Sequence, residues 1–217
     1  MVSFFYLTSR KSTTPLWQQI RSCRTIDSTI SLFSPKALRE QFSPFRSMNS
    51  SRISVRPFNL SDANDFLRWT GDDRVTRYLR WNTITCKEEA LNYLKKVAIP
   101  HPWRRSIYLD GRSVGYVSVK QESEEKCRAH ISYAVAADHW GRGIATMALR
   151  LAIPAALREF PEVVRVQALV EVENEGSQRV LKKLGFCKEG LLRKYGFCKG
   201  EIRDLVVFSF LRTDQLT

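Results

Sequence analysis

The chain has 217 residues, 43% of them hydrophobic and 26% charged, the length of one ordinary domain with a leader and the composition of a packed core. Lys and Arg number 35 against 22 Asp and Glu, a net charge of +13, which predicts a preference for anions: nucleic acid, a membrane surface or a phosphorylated ligand. Arg150 and Pro154 interrupt the most apolar run, residues 144–157, so no stretch reaches the roughly 18 residues of a spanning helix.

Residues 1–47 hold nine serines, five threonines, seven basic and two acidic side chains (Asp27 and Glu40), with no sustained period. A Ser-rich, Arg-bearing, acid-poor start has the composition of an organellar transit peptide for a chloroplast or mitochondrion. The alternative is a disordered extension ahead of a working start at Met48, with a cytoplasmic domain. Either way the folded domain is expected over 48–217.

From Ile53 the pattern turns to compact strands and helices. Ile53 to Arg56 alternates like a half-buried strand. Ser61 or Asn59 can cap a helix through Phe66, Leu67 and Trp69. Thr85-Cys86-Lys87-Glu88 reads as a capping box before a second helix that ends near Val97. Strands over 106–109 and 113–120 flank an Asp110-Gly111 turn, and a third, 127–136, completes an antiparallel meander. Asp138-His139-Trp140-Gly141-Arg142-Gly143-Ile144-Ala145-Thr146 then opens an apolar helix reaching Phe160, which Pro154 is expected to kink. A strand over 163–172, a helix over 175–184 and two strands, 186–195 and 202–210, close the chain.

Five cysteines (Cys23, Cys86, Cys127, Cys187, Cys198) without a C-x-x-C pair, and only three histidines (His101, His130, His139), speak against a disulfide scaffold or a closed zinc site and for a reducing compartment.

Two segments carry chemistry. A strand that ends in Gly-x-Gly-x-Ala and turns into a helix presents N–H groups of Gly141 to Thr146 to an anion. The helix dipole favours negative charge there, and Arg142 inside the turn adds a positive charge. The natural ligand is a pyrophosphate. No Gly-Lys-Ser/Thr follows, so this is not a P-loop, and the third glycine of a dinucleotide fingerprint is missing. In the second segment, Asn174 ends a strand, Ser177 lies in the first turn of a helix, and Leu184-Gly185-Phe186 closes it. Asn174 can cap that helix or bond an extended amide-bearing ligand.

With these two motifs in this order, about 30 residues apart after a meander, the chain from Ile53 to Phe210 resembles the GCN5-related N-acetyltransferase (GNAT) superfamily, in its ribosomal-protein alanine acetyltransferase-like branch. Trp140 stands where Gln or Arg is usual in the superfamily's pyrophosphate motif. The resemblance implies an α+β fold: a central mixed, mostly antiparallel sheet of about seven strands, splayed at the cofactor site and flanked by about four helices. It implies acetyl-CoA as co-substrate, no metal, and transfer by direct attack of a primary amine. The pantetheine arm would bond backbone groups of Tyr133, Ala134 and Val135. The pyrophosphate would rest on Gly141, Arg142, Gly143, Ile144, Ala145 and Thr146, and Asn174 would hold the arm from the other side. Arg179 or Lys182 would meet the nucleotide phosphates.

Many relatives carry a Tyr as acid just before Leu-Gly-Phe; here Leu181 stands in its place, so Ser177 is the expected acid, with Tyr195 in reserve. Glu171 is the expected base and Glu173 the alternative. His139 precedes the phosphate turn and His130 is a strand residue, so neither matches a base position. Weak base equipment suits an α-amine, already about a quarter neutral near pH 7.5, better than a lysine, neutral about once in 1,000. A protein N-terminus is therefore the expected acceptor. A small amine or polyamine, or a non-catalytic acyl-CoA-binding module, is the alternative. No membrane contact is expected, nor stable nucleic-acid binding, since no aromatic-interleaved basic motif is present.

Overall fold

Strand-type alternation and glycine or Asp-Gly turns produce a seven-stranded sheet in the computed structural model, which describes residues 52–217. Residues 1–47, read as a leader, lie outside the described residues. The strands are β1 (Ile53–Pro57), β2 (Arg104–Leu109), β3 (Arg112–Gln121), β4 (Arg128–Val135), β5 (Arg165–Glu171), β6 (Cys187–Cys198) and β7 (Glu201–Leu211), in the order β1-β2-β3-β4-β5-β7-β6. Every neighbouring pair is antiparallel except β4–β5, which is parallel.

Five helices cover it: α1 (Ala63–Thr70), α2 (Asp73–Thr76), α3 (Lys87–Tyr93, continued by a π turn over Leu94–Ala98), α4 (Ile144–Glu159) and α5 (Glu175–Lys183). The short α2 is the one the sequence pattern does not announce; the Asp72 carboxylate caps it by accepting from the Arg74 N–H. Alternation along the strands splits the core into two layers. Ile131, Val135, Val166, Ala168 and Val170 face α4 and α5, packing on Ile144, Ala148, Leu149, Leu181 and Leu184. On the other face Tyr116 and Ala134 pack with Phe66, Trp69, Ala90 and Leu94 of α1 and α3.

Two local expectations change. The reciprocal capping box belongs to Asn59 and Asp62, ahead of α1. At α3 the cap position falls on Cys86, so the carboxylate that reaches back is Glu89, which accepts from the Thr85 N–H at 2.9 Å. Pro154 lies inside α4, which runs on across it to Glu159, and its missing N–H leaves the carbonyl of the exposed Arg150 without its helical donor. The last hairpin is longer than its apolar run, because polar residues at its tip still pair, Cys198 with Glu201.

Candidate active site

The site starts from a gap in the sheet. β4 and β5 pair only over Arg128–His130 with Arg165–Gln167. Beyond His130 the strands part, and the backbone groups of residues 131–135 that point at β5 have no ladder partner there. At its wide end the gap meets the glycine turn. Gly141 and Gly143 have φ of 71° and 77°, a conformation L side chains avoid, and a Cβ on either would meet no atom within 4 Å. Six successive N–H groups, Gly141 to Thr146, donate to no acceptor among the described residues. A concave run of free donors at a helix start, with open space before it, fits a pyrophosphate.

The turn is tied down on both flanks. The Trp140 indole N–H donates to the Val135 carbonyl at 2.7 Å, which explains why an aromatic can stand where Gln or Arg is usual. It also takes the carbonyl of one of the three strand residues read as pantetheine contacts. Arg142 leans on His139, at 3.0 Å from Nδ1. Burial and the Arg142 charge hold the His139 pKa below its ordinary value, so its ring offers a lone pair to the guanidinium. Arg74 bridges Asp72 at 2.6 Å and Asp138 at 3.2 Å, fastening α2 to the segment before the turn.

Across the gap, the Asn174 side chain accepts from the Ser177 N–H at 3.1 Å and caps α5. Ser177 is half-buried, and its hydroxyl bonds no described residue. The Tyr133 side chain crosses the gap from β4, its hydroxyl donating to the Ser177 carbonyl at 3.2 Å; burial pushes that phenol's pKa well up. Sequence reasoning assigned Tyr133 for its backbone only. Leu181 is fully buried in the core, so the usual tyrosine position points away from any ligand.

The remaining assigned residues separate. Glu171 is on the α1 side of β5, its side chain 10% exposed, 3.8 Å from Arg203. It also lies beside the Cys198 thiol, whose pKa is pushed up by burial and by that carboxylate. Glu173 faces the same Arg203 at 3.9 Å. Tyr195 is 60% exposed in the irregular part of edge strand β6, two strands out from the gap. Arg179 pairs with Glu175 at 3.0 Å, while Lys182 lines a groove between α5 and the β6–β7 hairpin, with Gln178, Lys188 and Leu191. No cluster of metal-ligating residues occurs among the described residues.

A seven-stranded sheet parted at one parallel pair, with a donor-lined helix start at the mouth of the gap, defines an acyl-CoA-dependent transferase. Residues 52–187 match the acetyltransferase (GNAT) domain, and the chain belongs to that family of N-acetyltransferases. It is 28% identical to the uncharacterized N-acetyltransferase p20 of Bacillus licheniformis, over 76% of this chain and 96% of the relative. It is also 28% identical to the spermidine N(1)-acetyltransferase of Escherichia coli K12, over 71% and 83%. The fold matches the solved GNAT-family acetyltransferase of Bacillus anthracis with a TM-score of 0.67 at 22% identity, over 75% of this chain and 96% of that one. RimJ of Mycobacterium smegmatis, solved with CoA-disulfide, matches at a TM-score of 0.62 and 23% identity, over 75% and 85%.

Proposed function

We propose that the domain moves the acetyl group of acetyl-CoA, by direct attack, onto the α-amine of a protein N-terminus. The six free N–H groups of Gly141–Thr146 would hold the pyrophosphate. The unpaired edges of β4 and β5, with the Asn174 side chain, would hold the pantetheine arm. Strand N–H groups facing the gap would polarise the thioester carbonyl. The unengaged Ser177 hydroxyl would give its proton to the departing sulfur.

One observation carries the choice of acceptor. Three carboxylates lie on the α1 side of the sheet around the gap, and each already holds an arginine: Glu122 with Arg128 at 2.6 Å, Glu189 with Arg165 at 2.5 Å, and Glu171 with Arg203 at 3.8 Å. A polyamine carries several positive charges and needs unpaired acids; a single α-amine does not. The deciding assay compares initial rates for peptides beginning with Ala, Ser or Met against spermidine near pH 7.5. A peptide kcat/KM at least tenfold above that for spermidine is expected. The reverse order would transfer the assignment to polyamines.

A further inference from the structure

We propose that His130 is the general base of this site, with Glu122 as its positioning residue; the proposal rests on the acetyltransferase reading above. His130 belongs to the last β4–β5 pair, opposite Gln167, so it stands at the narrow end where the gap begins. The pyrophosphate turn follows the wide end: from His130 to Val135, where β4 ends, the strand runs five residues, about 17 Å at strand rise. An extended pantetheine arm laid down the gap from that turn delivers its sulfur toward His130.

The acceptor must arrive on the face that α4 and α5 leave open. Alternation puts His130 on that face, next to Ser132, which is exposed and bonded to Ser118 at 3.0 Å. The α1–α3 layer covers Tyr116 and Ala134 and stops short of this end. The His130 side chain is 39% exposed, against 10% for Glu171. An amine can reach the first without displacing a guanidinium; it cannot so reach the second.

The ring is held as a base is held. Nε2 lies 2.7 Å from Glu122 Oε1, so the tautomer that satisfies the carboxylate carries its proton on Nε2 and keeps the lone pair on Nδ1. Glu122 is itself fixed by Arg128 through its other oxygen, and Arg128 also meets Glu125 at 3.3 Å. Gln167 from β5 lies along the ring, its amide nitrogen 3.3 Å from Glu122 Oε1, 3.0 Å from Nε2 and 3.4 Å from Nδ1, so the incoming amine displaces that amide from Nδ1. Lys120 is the register partner on β3, and Arg165 beyond Gln167 is taken by Glu189. Glu122 is thus the carboxylate in direct contact with the ring.

The protons balance. Nδ1 takes one proton from the incoming ammonium and later yields it to solvent. The nitrogen attacks the thioester carbonyl, the C–N bond forms and the C–S bond breaks. A second proton leaves that nitrogen for solvent, Ser177 delivers its own to the thiolate and is reprotonated from solvent, leaving the amide and CoA thiol with one net proton released.

The test is the pH profile of kcat/KM with an N-terminal peptide, for the full chain, His130→Gln and Glu122→Gln, beside their unfolding midpoints. His130→Gln is expected to lose on the order of a hundredfold in kcat, keep its KM for acetyl-CoA, and recover as pH rises and the amine deprotonates unaided. Glu122→Gln is expected to keep part of the activity with its acid limb displaced to lower pH, which a merely structural role would not do. His130→Gln with wild-type kcat and profile overturns the proposal. So does Glu122→Gln with an unmoved acid limb, which decides the matter even if His130→Gln does not fold. Wild-type protein that acetylates no amine would sink the parent reading instead, and this one with it.

Discussion

Gly143→Ala isolates the phosphate cradle from the rest of the fold. The residue sits at φ 77° at the start of α4, where a Cβ meets no atom within 4 Å. The fold therefore loses only the left-handed strain, about 1–2 kcal/mol, or a midpoint drop of roughly 3–6 °C for a domain of this size. The ligand loses more. The methyl group projects into the space the pyrophosphate needs, and two charge-assisted hydrogen bonds at about 1.5–3 kcal/mol each amount to at least a hundredfold in affinity. At a hundredfold excess over Kd, CoA stabilises the wild type by about 2.7 kcal/mol. At the same concentration it should stabilise the variant by less than about 0.5 kcal/mol. Thermal unfolding with and without CoA gives both numbers from one protein. A variant that drops as computed from strain yet keeps the full CoA shift would refute the assignment of the pyrophosphate to this turn.

Three further outcomes are expected. Tyr133→Phe removes the bond to the Ser177 carbonyl, costing about 1 kcal/mol and raising the KM for acetyl-CoA; an unchanged midpoint and KM would deny the bond any role across the gap. Arg203→Met strips the guanidinium facing Glu171, Glu173 and Glu201. Leaving buried Glu171 alone should cost about 3 kcal/mol, partly recovered by adding Glu171→Gln, as urea unfolding would report. His101 is held by burial at a pKa of about 4, below its ordinary 6.5. The unfolded chain therefore binds a proton there that the folded chain refuses, and stability falls as pH drops from about 6.5 to 4. Solvent access limits the loss to about 1–2 kcal/mol, and His101→Gln should flatten this part of the stability profile.

What the sequence disclosed about the site follows from what local patterns encode. The glycine turn and the Asn174–Ser177 step were legible because positive φ and helix capping fix residue type at short spacing. Glu171 was legible only halfway: alternation on β5 tells which face it occupies, and nothing local tells that Arg203 and Cys198 come to meet it from β6 and β7. His130 read as an ordinary strand residue for the same reason, since Gln167 lies 37 residues away. Its partner Glu122 was nearer, eight residues back across a turn, a spacing with no periodic signature. Trp140 looked like a departure from the motif; only the fold shows its indole closing onto Val135. The meander and the mixed, seven-stranded sheet were legible from alternation and the resemblance, whereas the place of β7 between β5 and β6 was not, and the five-helix count needed α2, a single turn fixed by Asp72.

Because only three residue pairs join β4 to β5, the sheet behaves as two sub-sheets sharing a short seam, with β1–β4 on one side and β5–β7 on the other. A ligand stretched along the parted edges would do the work of an eighth strand and stitch the halves into one cooperative unit. Ligand occupancy would then be written into backbone amide exchange: residues 131–135 and the upper part of β5 would open by sub-global fluctuation in the free protein and become protected when CoA binds. The cofactor would in this sense complete the architecture as well as the chemistry, and turnover would carry a periodic loosening of the seam each time the product leaves.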